Sequence, residues 1–140
     1  MNPVSWFLWK GETFFSGILS RIFWAPTSAA VIVEEDGRLL AVDRGDYLML
    51  PGGIVERGES FREAARREVE EETGIIIKVD ERLMERTRQK MGVEVVFRAD
   101  VREGDLDGSW EGEPVWIDIA EARDRNWRFD RDISRYVDTG

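Results

Sequence analysis

Between Ser60 and Gly74 the chain is predicted to form one helix, and that helix turns carboxylates toward its own apolar side. Ser60-Phe61-Arg62-Glu63 is a capping box, with the serine hydroxyl serving the third backbone N–H and the glutamate reaching back. Gly74 is the natural stop, because the left-handed backbone that closes a helix carries no Cβ penalty in glycine. At about 100° per residue, Phe61, Ala64, Ala65 and Val69 gather on one face, while Arg62, Glu63, Arg66 and Glu70 face water. Glu68 and Glu72, four apart, fall on the apolar face beside Ala65, and Glu71 lies at its margin. A run of Glu and Arg on a helix is ordinarily a solvated face with i,i+4 pairs such as Glu63–Arg67 and Arg67–Glu71. Carboxylates turned toward a core are different. They are costly unless neutralised, and a hard divalent cation, which prefers oxygen ligands, neutralises them.

What the chain lacks narrows the chemistry further. None of its 140 residues is cysteine, so disulfides, zinc–thiolate sites and cysteine nucleophiles are excluded. Histidine is absent too, which removes the commonest general base and transition-metal ligand. Acid–base work falls to carboxylates, Lys, Arg or Tyr. A formal charge of −9 argues against stable nucleic-acid binding, and an anionic substrate would need cations to be tolerated. The length is that of one domain with a proper core.

Gly53, Glu59 and the run Arg67-Glu68-Val69-Glu70-Glu71-Glu72-Thr73-Gly74-Ile75 fill every fixed position of the pattern G-x5-E-x7-R-E-U-x-E-E-x-G-U, where U is a bulky aliphatic residue. The chain therefore resembles the Nudix hydrolase family (MutT-like), over roughly Thr27 to Asp124. The entry Tyr47-Leu48-Met49-Leu50-Pro51-Gly52-Gly53 is similar to the aromatic-x-x-Leu-Pro-Gly-Gly lead of that family. The resemblance implies an α/β fold, a Nudix-type α/β/α sandwich with a mixed β-sheet. It also implies cleavage of a diphosphate linkage by metal-assisted attack of water on phosphorus, with Mg²⁺ as the ion and Mn²⁺ as a substitute. Glu68, Glu71 and Glu72 are carried over as metal ligands, with the Gly53 carbonyl beside them and Glu59 and Glu113 as further candidates. Glu68 or a neighbouring glutamate is the expected base, and Arg67 is expected to hold a glutamate in place by a charge-assisted hydrogen bond. Glu111 shares the candidacy of Glu113, since some relatives recruit a glutamate from a later loop.

The expected substrate is a nucleotide-type small molecule, either a nucleoside triphosphate or a nucleoside diphosphate derivative. Arg44 and Arg88 are candidates for phosphate contact, and Tyr47 and Phe97 for stacking on a base. Subgroup marks are missing: no proline lies about fifteen residues past Ile75, where ADP-ribose-type members often have one. The tyrosine of dinucleoside-polyphosphate members and the Ser-Gln-Pro-Trp-Pro-Phe string of NADH-type members are absent as well. The alternative to an enzyme is a catalytically silent Nudix domain that binds a nucleotide and regulates a partner. Such domains typically carry damaged boxes, and this box is complete.

Along the chain, Ala30–Val33 and Leu39–Val42 read as a hairpin turned by Asp36-Gly37. Tyr47–Leu50 is the next strand, followed by the glycine loop and the helix. Strands are then expected at Ile75–Val79, Leu83–Gln89, Val93–Val101 (paired with the preceding one around Lys90-Met91-Gly92) and Val115–Ile119. Short helical turns are expected at Ala120–Arg125 and Asp132–Val137. The chain divides into an aromatic-rich segment, 1–26, and the Nudix hydrolase domain, 27–140. The first segment carries Trp6, Phe7, Trp9, Phe14, Phe15, Phe23 and Trp24, interrupted by Lys10, Glu12 and Arg21. It has no apolar run of the roughly 20 residues needed to span a bilayer and no secretory signature, so a cytoplasmic setting is expected. Burial against the domain or in a homodimer is the favoured role of such a stripe. Docking at a membrane surface is the alternative, against which the acidic charge and scarce lysine argue. If the stripe makes a dimer, gel filtration will show twice the chain mass for the full-length protein and a monomer for Δ1–25. A monomer in both removes the dimer.

Overall fold

The first strand of the domain is an unbroken apolar run from Ala29 to Val33, and that sets the architecture: a strand buried on both faces must lie between two layers. The computed structural model describes residues 27–88, 92–108 and 112–128. In chain order these form β1 (Ser28–Glu35), β2 (Arg38–Asp43), β3 (Leu48–Met49), β4 (Gly52–Ile54), α1 (Phe61–Thr73), β5 (Ile76–Arg88), β6 (Gly92–Glu103), β7 (Glu113–Asp118) and α2 (Ile119–Asp124). Segment 1–26, the turn at Lys90-Met91, Glu111 and the helical turn expected at Asp132–Val137 lie outside the described residues.

β1 pairs in parallel with β6, with Ser28 opposite Glu94 and Val33 opposite Ala99. Antiparallel partners flank this pair, β4 on β1 and β5 on β6. At its far end β1 turns into β2, which carries β3 and β7 at its sides. The sheet is therefore mixed, as expected. Asp36 (φ 52°) and Gly37 (φ 74°) both take the left-handed backbone that a two-residue hairpin loop requires. The Gly37 carbonyl then accepts the N–H of Ile119, docking the start of α2.

Alternation along β1 sends its side chains to two cores. Ala29, Val31 and Val33 pack with Val95, Phe97 and Ala99 of β6 beneath Ala64, Ala65 and Val69 of α1. Ala30 and Ile32 point the other way, against Leu39, Ala41, Leu48, Ile117, Ala122 and Trp127. α1 thus covers one face, and α2 helps to close the opposite side. This is the expected α/β/α arrangement.

Two strand boundaries differ from expectation. The strands expected at Ile75–Val79 and Leu83–Gln89 merge into one, β5 (Ile76–Arg88), with no glycine or proline to interrupt it. The charged stretch between is absorbed by register shifts on either side of Arg82. Gly52 and Gly53 are not merely a turn: they form β4, paired with Ala30 and Ala29. That pairing explains the first glycine. A Cβ on Gly52 would lie 2.2 Å from the Ala29 carbonyl oxygen and 2.7 Å from the Ala30 Cα, all backbone. Gly52→Ala is expected to cost about 1–3 kcal/mol through forced backbone displacement, read as a lower urea midpoint with an unchanged slope.

Candidate metal and active site

The site is built on α1, and α1 is fixed at both ends by its own sequence. Ser60 caps it in extended conformation, its hydroxyl accepting the Glu63 N–H at 3.1 Å. Gly74 closes it at φ 78°, donating its N–H to the Glu70 carbonyl. Thr73, fully buried, donates its hydroxyl to the Val69 carbonyl at 2.6 Å and accepts the Ile75 N–H at 3.2 Å. The loop after β6 docks here too, since the Asp107 N–H donates to the Thr73 carbonyl at 2.9 Å.

Arg67 is the hub of the carboxylates. Its Nε and Nη2 grip both oxygens of Glu59, at 2.8 and 3.0 Å. Nη1 donates to Glu68 Oε1 at 2.9 Å and to Glu71 Oε2 at 3.2 Å. Nη2 also donates to the Ile54 carbonyl at 3.1 Å. These five bonds match the five N–H groups of a guanidinium. The two-pronged contact with Glu59 is the strong geometry of arginine–carboxylate pairs. Hydrogen bonding from Arg67 holds the Glu59 carboxyl below its ordinary range, against partial desolvation and with help from the Glu56 N–H and the Arg67 charge. Arg67 in turn is raised further above an already high value, chiefly by Glu59. It is a fixed cation and does not serve as a proton donor.

The two carboxylates on the apolar side meet the glycine strand. Glu72, 9% exposed, accepts the Gly52 N–H at 3.3 Å. Glu68 lies against Gly53, where a Cβ would fall 2.4 Å from its Cδ and 2.6 and 2.7 Å from its oxygens. The second glycine therefore leaves the space that the Glu68 carboxylate occupies. Glu71 is exposed at the margin, as its place on the helix requires. Among the described residues, no three acidic side chains are already drawn together into an ion-binding group. The donor set still fits a hard divalent cation, because Glu68, Glu71 and Glu72 all offer carboxylate oxygen and the chain contains neither cysteine nor histidine.

The remaining candidates are dispersed. Glu113 is exposed at the start of β7, close to Gly108 in the loop that docks on the end of α1. Arg44 and Tyr47 share the turn between β2 and β3, where the Arg44 N–H donates to the Tyr47 carbonyl. The Tyr47 hydroxyl accepts from Arg128 at 2.6 Å, and that guanidinium lies over the ring. Among the described residues, neither Arg44 nor Tyr47 bonds to the carboxylates of α1. Arg88 ends β5, and its side chain lies outside the described part of the structure. Phe97 is not free to stack on a base. It is buried in the core beneath α1, with the Arg62 guanidinium 5.2 Å from its ring centre.

Comparison with known proteins identifies the family. The NUDIX domain matches residues 24–137, so the chain belongs to the Nudix family. It is 53% identical over 55 residues to a MutT-like protein of Streptomyces ambofaciens, covering 38% of this chain and 36% of that one. It is 38% identical over 97 residues to an ADP-ribose pyrophosphatase of Methanocaldococcus jannaschii, covering 61% of this chain and 57% of the relative. The matches thus span about a third and somewhat over half of those relatives' lengths. A NUDIX hydrolase from Nitrosomonas europaea superposes with a TM-score of 0.63 at 27% identity, over 72% of this chain and 77% of that one. The family generally uses a divalent metal and acts on nucleotide derivatives.

Two residues of the site escaped sequence reasoning. Gly52 supplies the N–H that holds Glu72, and Thr73 ties the helix end to the following loop; the only trace of the first was the paired glycine. Gly53→Ala is expected to leave the unfolding midpoint nearly unchanged, since only the flexible end of Glu68 must move, while abolishing metal-dependent turnover. The Glu59 contribution follows from its lowered pKa: it is present above the ordinary value of 4.5 and fades as pH falls through the lower folded value. The melting-temperature gap between wild type and Glu59→Gln should therefore hold from neutral pH to about 4.5 and close below it.

Proposed function

We propose that this chain is a Mg²⁺-dependent pyrophosphohydrolase that cleaves the diphosphate linkage of a nucleoside diphosphate derivative or a nucleoside triphosphate. The observation that carries the reading is the Arg67 hub, which fixes Glu59, Glu68 and Glu71 along one edge of α1 while Glu68 and Glu72 lie against the Gly52–Gly53 strand. Glu68, Glu71 and Glu72 would hold the ion, with the Gly53 carbonyl as a further ligand and Glu59 and Glu113 as auxiliary acids. When bound, Mg²⁺, or Mn²⁺ in its place, lowers the pKa of a water and draws charge from the phosphoryl oxygens. Glu68 would take the proton of the attacking water, a task a carboxylate can manage at neutral pH beside a bound cation. Arg67 acts as a positioning residue: it keeps the Glu68 carboxylate turned toward the glycine strand and supplies the positive charge that lets several carboxylates crowd one helix edge.

The ADP-ribose pyrophosphatase name of one relative makes a nucleoside diphosphate derivative the first class to try. Arg44 and Tyr47 would then contribute from the turn after β2. Among the described residues no helix is long and apolar enough to cross a membrane, and the charge of −9 disfavours stable nucleic-acid binding.

The test is product analysis with Mg²⁺ across nucleoside triphosphates, ADP-ribose, sugar nucleotides, dinucleoside polyphosphates and coenzyme A. Cleavage of one class is expected to fall by at least about 10²-fold in Glu68→Gln and Glu72→Gln, the scale of losing general-base or metal catalysis. No turnover of any class, with nucleotide binding intact, would replace the enzyme with a regulatory binding domain.

A further inference from the structure

The sheet ends at β5, and between that strand and α1 runs a groove of about 730 Å³. Arg62, Glu63 and Arg66 line it from the helix, Lys78 from β5, and Arg102 and Glu103 from β6. Ile76 stands opposite Glu103 and Ile77 opposite Val101, which leaves Arg102 as the extra residue of a β-bulge. Four cations against two carboxylates run counter to a chain whose acidic residues outnumber its basic ones by 29 to 20. Arg62 is committed to the sheet, donating to the Asp80 carbonyl at 2.6 Å with its guanidinium 5.2 Å from the centre of the Phe97 ring. The other three cations are not committed. Arg66, Lys78 and Arg102 are exposed and, among the described residues, their side chains enter no ion pair or hydrogen bond. Elsewhere Arg67, Arg82, Arg86 and Arg98 each pair with a carboxylate.

We propose that this groove is a second binding site, for a phosphate chain held by Arg66, Lys78 and Arg102 without a metal ion. Two guanidinium groups supply planar forks that match phosphate oxygens, and the lysine adds a point charge. The groove is distinct from the carboxylate edge. At about 100° per residue, Arg62 and Arg66 lie on the flank of α1 away from Glu68 and Glu71. The two flanks also ask for opposite things: carboxylates hold a phosphate only through a cation, whereas this groove holds it directly. The site therefore goes beyond the hydrolytic reading and does not depend on it.

The test is calorimetric titration of the full-length protein with tripolyphosphate in EDTA, where no cation bridges the anion to the carboxylate edge. Saturable binding is expected, weakened at least about tenfold by Arg66→Gln combined with Arg102→Gln. Arg38→Gln with Arg123→Gln removes the same charge from exposed positions elsewhere and should change the affinity by less than about twofold. No saturable binding, or equal weakening by the two pairs, would overturn the proposal, the latter reducing it to the general field of the protein. Backbone amide shifts give an independent reading: tripolyphosphate should move Ile76, Lys78 and Arg102 and leave Gly52 and Gly53 in place. Shifts confined to the glycine strand count against the groove. A nucleoside triphosphate titrated in the same way separates the sources of the phosphate chain. The site stands with either, tighter binding than tripolyphosphate assigning a nucleotide and equal binding a bare polyphosphate.

Discussion

Several carboxylates on one helix edge repel one another, and the fold has to answer that repulsion before any ion arrives. Arg67 answers it. One guanidinium, fully engaged, binds Glu59, Glu68 and Glu71 and reaches the Ile54 carbonyl on the neighbouring strand. The contact with Ile54 matters as much as the ion pairs, because it ties the helix to the glycine strand across which Glu68 and Glu72 lie. Lysine in its place would supply a charge but not the planar fork, so position and charge would separate. The caps at Ser60 and Gly74 and the buried Thr73 then set where along the sheet this cluster sits.

The glycine strand is the other half of the same construction. Gly52 approaches β1 so closely that backbone meets backbone, whereas Gly53 is small because a side chain approaches it. Two adjacent residues of one type thus serve unlike ends, one admitting a backbone and the other a side chain. Their pairing with β1 carries the site down to the strand with the most complete burial, whose alternate side chains anchor both cores. The carboxylates are consequently mounted against a strand that both cores bury.

Much of this was legible in the sequence because the signals were local. Helix limits followed from Ser60, Glu63 and Gly74, the hairpin from Asp36-Gly37, and the orientation of Glu68 and Glu72 from a helical count. The engagement of an acid by Arg67 was expected, but its main partner, Glu59, lies eight residues back, before the N-cap Ser60, where the helical count does not reach. Continuity of β5 was missed because the charged stretch around Asp80-Glu81 resembles a turn, and only pairing with β6 stretches it through its bulges. The burial of Phe97 was likewise a tertiary matter, decided by the core that α1 and β1 build around it. The buried pair of Arg86 with Glu94 across β5 and β6 gave no sign, since neither residue has a neighbour in sequence that requires it.

A guanidinium whose five N–H groups are all engaged is indifferent to whatever molecule enters beside it. Arg67 does not need to change with the leaving group, the sugar or the base, and no new ligand gains a hydrogen bond by altering it. If the proposed site is the catalytic one, the apparatus that breaks the bond and the choice of what to break can be inherited separately, the first held by a helix and two glycines and the second left to the turns and later strands around them.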